Sequence, residues 1–297
     1  MSFEILKSKA GAIAGIQQQI AKSNNSYANP LDDISWKSEP DKVGNARAII
    51  RFLPASEGEE SPFVKMFSHG FRSESNPKAW FIENCVGTIG GECAVCKDVS
   101  ELYDTGIESN KKKGADRKRK LSFYSNIIVI SDPKNPQNEY ANCGKVFVFR
   151  YGKKIFEKIV DKISPTFEDD VPFDPFDMWT GANFTLTTKK VEGFPNYDSS
   201  TFAEPKPLFD GDEAQMEELY YKQHKLETII SADKFKSEEE IATKYAKFIG
   251  VPNKPSHTED DEDVASFKSN KPTFTKKKVD EDDDDSLDYS KLLEEID

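Results

Sequence analysis

Along this chain the spacing of apolar positions changes several times. From Ala46 the run ARAIIRFL is rich in β-branched residues, closes at Pro54 and predicts a strand. FVKMF at 63–67 alternates, and AWFIENC at 79–85 follows it. KDVSELYD at 97–104 has the spacing of one or two helical turns. Two stronger strands are predicted at LSFYSNIIVI, 121–130, and KVFVFRYG, 145–152, with the turn-rich DPKNPQNE between them. KKIFEKIVDKI at 153–163 switches to a helical period, with Ile155, Ile159 and Ile163 on one face. After an acidic, Pro-bearing loop, NFTLTTKKV at 183–191 predicts another strand. Residues 213–231 and 237–249 read as helices; Ser237 with Glu240 makes a capping box, and Gly250 stops the second helix. Short strands at this spacing, with one helix among them, predict a mainly β, α+β fold built on a small Greek-key barrel.

The two ends follow different patterns. In ILKSKAGAIAGIQQQIAK, 5–22, Ile13, Ile16 and Ile20 share one helical face behind Lys7 and Lys9, and Gly11 and Gly15 weaken the helix. Such a segment docks on something, either its own core or another molecule. Residues 23–45 are polar, with Pro, Asn and Gly, and read as a linker; 107–120 reads as a basic loop. From Pro252 the chain is charged and poor in apolar residues, which predicts disorder. Leu287, Leu292, Leu293 and Ile296 break that pattern with a short acidic, amphipathic motif. The expected organisation is a segment at 1–22, a core at 23–252 and an acidic tail at 253–297. No run of eighteen apolar residues suggests a membrane span, and no apolar leader with a cleavage site suggests export.

Composition sharpens this picture through charge. The chain's net charge of −12 hides a basic middle: residues 107–162 carry 14 basic and 6 acidic groups, net +8. Residues 163–250 carry 9 basic and 18 acidic groups, and 255–297 carry 6 and 15. A cationic block between acidic flanks points to a polyanionic partner despite the low overall pI.

The cysteines supply the first candidate chemistry. Fifteen residues separate His69 from Cys85, seven separate Cys85 from Cys93, and two separate Cys93 from Cys96. A C-x-x-C turn with one further Cys and one His forms the S₃N set that Zn²⁺ favours in structural sites. Buried thiols without a metal and a redox C-x-x-C are alternatives, but no βαβ pattern surrounds Cys93 and Cys96. A zinc deaminase needs Glu two residues after its His, and Phe71 stands there. Four protein ligands leave no open position, so one structural Zn²⁺ is expected, in a subdomain at about 63–106.

The second candidate is the basic middle itself. KKKGADRKRK at 111–120 is followed by Phe123 and Tyr124, then by FRYGKK at 149–154 and FPNY at 194–197. Rings interleaved with cations suit an unpaired strand, whose bases stack on the rings while its phosphates meet Lys and Arg. Duplex readers need a helix shaped for the major groove, and no predicted helix has such a basic face. Stacking rings accept either sugar, so DNA and RNA stay open on these grounds.

At these positions the sequence resembles the single-stranded DNA-binding, helix-destabilising proteins of T-even-type bacteriophages. The resemblance rests on islands in order: AIIRFLP (48–54), HGF (69–71), the cysteine set, LYDT (102–105), KRK-x-S (118–122), KVF (145–147), GKKI (152–155), GANF (181–184) and GF-x-NYD (193–198). It implies an OB-fold core with an inserted zinc subdomain, a basic N-terminal segment for cooperative self-association, and an acidic tail that recruits replication and recombination proteins. It implies His69, Cys85, Cys93 and Cys96 as zinc ligands, and a DNA cleft in which Phe123, Tyr124, Phe149, Arg150, Tyr151, Phe194 and Tyr197 take part. Tyr103, Arg117, Lys118, Arg119, Lys120, Lys153 and Lys154 complete the candidate DNA-binding set. Two departures stand out. TIGGE precedes the C-x-x-C where the family carries a ring, and the N-terminal basic motif shrinks to Lys7-Ser8-Lys9. Cys143 has no family role and is expected to be a buried free thiol.

The expected function is a non-enzymatic coat on single-stranded DNA in replication, recombination and repair, in the cytoplasm of an infected bacterial host. Two alternatives compete: an RNA-binding translational regulator, and a zinc-containing nucleic-acid enzyme. The enzyme would need a carboxylate cluster, yet Asp169, Asp170, Asp174 and Asp177 lie in a Pro-rich loop.

Overall fold

The computed structural model describes residue 31 and residues 33–74, 76–132, 141–167 and 169–250. The expected N-terminal helix and the acidic tail with its leucine motif lie outside these residues. The strands are β1 (Ser35–Trp36), β2 (Ala46–Phe52), β3 (Phe63–Arg72) and β4 (Trp80–Asn84). Helices α1 (Ala94–Asp104) and α2 (Glu108–Arg117) follow, then β5 (Lys120–Ser131), β6 (Val146–Tyr151) and α3 (Lys153–Ile163). The chain continues through β7 (Phe184–Val191), β8 (Phe194–Asn196), β9 (Thr201–Phe202), α4 (Glu213–Tyr220) and α5 (Glu238–Ile249). The fold is α+β and mostly sheet.

The long strand β5 is the spine of the sheet. β6 runs antiparallel along one edge, pairing Phe123 with Tyr151 and Ile128 with Val146. The other edge is shared: β3 takes Lys120 to Ser125, and β2 takes Ile127 to Ser131 with a bulge between Ile49 and Ile50. β2 then pairs with β7, which carries β8 and β9. Because alternate side chains of a strand point to opposite faces, β5 divides its rings. Phe123 faces an aromatic core with Phe52, Phe149, Tyr151, Phe156 and Phe184, all buried. Phe123 and Phe156 stack at 3.9 Å between centroids, 5° from parallel. Phe52 touches the rings of Phe149, Tyr151, Phe176 and Phe184, so one side chain joins strands from both halves of the sheet. Each buried Phe contributes about 1.5–3 kcal/mol of apolar transfer. Helix α3 closes this core with Ile155, Phe156 and Ile159, while Ile163 is only half-buried.

A second core forms where β3 runs past β5 and pairs Ser68 to Arg72 with β4. Phe71, Phe81, Val86 and Val95 pack there against Ile241 and Tyr245 of α5. The capping box at Ser237 and Glu240 starts α5, and Gly250, at φ 77°, ends it in the left-handed region that favours glycine. Lys236 and Lys244 both reach Glu83 on β4, fixing α5 to the hairpin. The subdomain expected at 63–106 therefore has its apolar core completed by a helix that lies about 140 residues further along the chain.

Four local expectations change. Residues 107–120 contain a helix, not a loop. α2 has almost no apolar face, so no periodic signal marks it; it is held by α1, whose Tyr103 ring lies over Gly114, leaving a Cβ there only 3.0 Å from the ring. Glu108 in its first turn and Arg117 in its last suit the helix dipole. The expected linker holds β1, which pairs in parallel with β6, and Trp36 is buried with its indole N–H donating to Asp132 at 2.9 Å. The helix expected over 213–231 ends at Tyr220, and a 3-10 turn at Leu226–Ile229 covers the outer face of the sheet. Cys143 is half-buried rather than buried.

Candidate metal centre and nucleic-acid groove

His69 leaves the middle of β3 fully buried; Cys85 directly follows β4; Cys93 caps α1 and Cys96 lies in its first turn. Hairpin and helix start thus aim four ligand atoms at one point, all within 4.8 Å of one another. Cys85 Sγ lies 3.6 Å from Cys96 Sγ, and His69 Nε2 lies 3.4 Å from Cys93 Sγ and 3.6 Å from Cys96 Sγ. The set could hold a metal ion. His69 Nδ1 is 3.0 Å from the Arg117 carbonyl, which can only accept, so Nδ1–H donates and Nε2 faces the thiols. Burial alone would lower the His69 pKa, but hydrogen bonds to Cys85, Cys93 and the Arg117 carbonyl push it up to about 9. The same crowding, led by Cys85, lowers the Cys93 thiol and raises that of Cys96. A bound cation displaces the protons these groups share.

Arg117 has a structural place. Its guanidinium meets Asp98 of α1 at 2.9 Å, the Tyr245 hydroxyl of α5 at 2.9 Å and Glu74 at 2.8 Å. Burial opposes its charge, yet Tyr245 and Asp98 outweigh burial and hold its pKa above the usual guanidinium value. One residue therefore ties α1, α2, α5 and the β3–β4 loop while its carbonyl orients His69. A phosphate would have to break this network to reach it.

The predicted rings divide in the same way. Phe123, Tyr124, Phe149 and Tyr151 are 0%, 6%, 5% and 4% exposed. Phe123, Phe149 and Tyr151 belong to the aromatic core, where Tyr151 also shares a 2.8 Å hydrogen bond with Ser125. These three offer no open face to a base; aromatics beside cations in the sequence were core residues on the inward side of their strands. Tyr124 points outward, but Met66, Val148, Leu226 and Ile229 pack against it. Tyr103 and Phe194 are exposed and Tyr197 is half-buried.

Of the predicted cations, Lys120 and Arg150 come together. They line a groove of about 430 Å³ with Tyr124, with Met66, Trp80 and Ile82 of the β3–β4 hairpin, and with Ile229 and Lys234. Arg150 Nε donates to Ser122 at 3.0 Å, and its guanidinium lies 5.9 Å from the centre of the Tyr124 ring. Arg119 is exposed and stacks on Phe67 at 4.0 Å, and Lys118 is half-buried. Lys153 and Lys154 begin α3; Lys154 pairs with Asp198 at 3.0 Å and Lys158 donates to the Asp198 carbonyl, tethering the segment beyond β8. The β7–β8 turn carries Glu192 and Gly193 at φ 52° and 90°, and exposed Phe194 follows it.

Among the residues that line the groove, Trp80, Ile82 and Lys234 were not marked as site residues by the sequence pattern. A signal existed for two of them: Trp80, Phe81 and Ile82 place apolar residues on both faces of one strand, and only Phe81 is needed for the core. Asp174 and Asp177, candidates for a carboxylate cluster, instead accept backbone N–H groups within their own turn, from Phe176 and from Trp179 and Thr180.

Residues 44–249 match the family model described as gp32 DNA binding protein like. The chain is 40% identical over 252 residues to a single-stranded DNA-binding protein of Enterobacteria phage T2, covering 82% of this chain and 80% of the relative. It is 40% identical over 251 residues to the protein of the same description from Enterobacteria phage T4, covering 82% and 79%. A shorter relative from Enterobacteria phage RB70, also described as a single-stranded DNA-binding protein, is 37% identical over 122 residues, 39% of this chain and 98% of the relative.

Proposed function

The chain belongs to the family of gp32-like DNA-binding proteins, and on that premise we propose that it coats single-stranded DNA during replication, recombination and repair. The observation that carries the site is the groove between the β3–β4 hairpin and strands β5 and β6, where Lys120, Arg150 and Lys234 converge beside apolar side chains. Cations there would track phosphates and apolar side chains would accept any base, which suits binding without sequence preference. A mostly antiparallel sheet with an aromatic core and a helix following β6 supports an OB-type core.

The metal is Zn²⁺ in this proposal, with a structural role. Bonds of roughly 2.3 Å to sulfur and 2.0 Å to nitrogen set tetrahedral edges of about 3.5–3.8 Å. Three of the six edges, at 3.6, 3.4 and 3.6 Å, lie close to that figure. His69, Cys85, Cys93 and Cys96 would fill every position, so the ion holds the hairpin to α1 and leaves no place for a reactive water. The family premise and the tail's composition support two further roles: cooperative self-association through residues 1–22, and recruitment of replication and recombination proteins by residues 253–297. The setting is the cytoplasm of an infected bacterial cell.

The experiment is a salt titration of binding to a one-site oligonucleotide. Each phosphate contact on a single strand adds about 0.7 to the slope of log affinity against log salt. Lys120→Ala and Arg150→Ala should each lower that slope and weaken binding without loss of fold. Tighter binding to duplex would contradict the proposal, and tighter binding to matched RNA would favour a translational regulator instead.

A further inference from the structure

The groove needs a ring with an open face; of the predicted rings only Tyr124 lines it, and Tyr124 is buried. Two aromatic side chains line it: Tyr124 at 6% exposure and Trp80 at 49%. Trp80 begins β4, a strand that among the described residues pairs only with β3. Ile82, two residues on and on the same side, is also exposed. A large indole and an isoleucine left open on a two-stranded hairpin form an apolar platform that no described segment covers.

The partner of Trp80 across the hairpin is Arg72. Its guanidinium lies 4.8 Å from the centre of the Trp80 ring, close enough for a cation–π contact that orients the indole. The ring is therefore backed by a cation, and Trp80 also lines the groove that holds Lys120, Arg150 and Lys234. Apolar platform and positive charge together match an unpaired nucleotide: a flat base for the indole, a phosphate for the guanidinium. A protein partner would find the same platform surrounded by four cations. Resting on the groove as the DNA site, we propose that Trp80 is its base-stacking residue, and that Arg72 both supports the ring and meets an adjacent phosphate. His69 lies on β3 and Cys85 directly follows β4, so a metal held by this cluster would fix the hairpin in place.

The test uses the full-length, metal-loaded protein and a labelled one-site oligothymidylate. Trp80→Ala should weaken binding about 5- to 150-fold, with the salt slope unchanged. Trp80→Phe should recover most of the loss. Arg72→Ala should lower the slope by about 0.7. The tryptophan quench on binding should lose the part that comes from Trp80, while the melting temperature stays near that of the parent. If Trp80→Ala leaves affinity unchanged while Lys120→Ala and Arg150→Ala weaken it, the stacking role is overturned and the groove stands. If none of these substitutions matters, the groove itself is not the DNA site. If Trp80→Ala leaves one-site affinity intact but removes cooperative binding to long strands, the platform joins protein copies and the stacking role is likewise overturned.

Discussion

Replacing Arg117 with alanine separates a structural cation from a phosphate contact within one basic run. The Arg117 side chain is 12% exposed, against 27% for Asp98 and 56% for Glu74. The exposed Glu74 pair counts for ~0–1 kcal/mol. Hydrogen bonds to charged groups in partly buried places contribute about 1.5–3 kcal/mol each. Asp98 and Tyr245 still bond to each other after the substitution, so the two losses overlap. The net expectation is a loss of about 2–4 kcal/mol of folding stability. For a chain of this size that lowers the melting temperature by about 4–16 °C. The His69 contact survives, because it uses the Arg117 carbonyl. Differential scanning calorimetry of the metal-loaded variant measures the stability, and salt titration on a one-site oligonucleotide measures the charge contact. Arg117→Ala should melt early yet keep the parent's salt slope while folded. Lys120→Ala should do the reverse, since exposed Lys120 makes only a 3.3 Å contact to the Gly70 carbonyl. A variant with unchanged melting and a slope lowered by about 0.7 would refute the structural role of Arg117.

Phe123→Ala should cost ~3–5 kcal/mol by opening a cavity beside Phe156 and Tyr151, measured by urea unfolding, with no affinity change in the fraction that stays folded. Metal analysis should find one Zn²⁺ per chain, and chelation should lower the melting temperature and expose α1 and α5 to protease; a metal-free protein of full stability would contradict the site. Asp198→Asn should release Lys154 and steepen the salt slope. Hydrogen bonds from Asn196 and Lys154 hold the Asp198 pKa below its usual value. The tether is therefore intact above the ordinary carboxylate range and lost as pH falls through the lowered pKa, so the variant's advantage should shrink in acid. Deleting 253–297 should tighten single-strand binding most at low salt, where an acidic tail competes best for the cationic groove.

How much of this was legible in sequence differs element by element. The strands from Ala46, Phe63, Lys120, Val146 and Phe184 follow from β-branched and aromatic runs. The cluster of His69, Cys85, Cys93 and Cys96, which could hold a metal, was legible from spacing, because a C-x-x-C turn constrains its own geometry. α2 was hidden, since a helix held by a ring over its glycine and by ion pairs needs no apolar stripe. The completion of the β3–β4 hairpin's core by Ile241 and Tyr245 was hidden too, because no local pattern records a partner so far along the chain. The aromatic cluster misled for a simple reason: adjacent residues of a strand face opposite ways, so Phe123 and Tyr124 cannot both face the DNA. Period-two alternation places Phe123, Phe149 and Tyr151 on one face, but which face meets solvent depends on where α3 and the Leu226–Ile229 turn lie. AWFIENC predicts a strand without saying which of its faces meets solvent, so nothing local marks Trp80 as a surface ring.

Photo-crosslinking with mass-spectrometric mapping tests the location of the DNA most directly. A one-site oligonucleotide carrying halogenated uracils is irradiated in complex with the metal-loaded chain, and the adducts are assigned to residues. The groove account predicts adducts concentrated on the β3–β4 hairpin, above all at Trp80, with others at Tyr124 and the adjoining ends of β5 and β6. Adducts confined to α2, or to rings outside the groove such as Trp179, would contradict it.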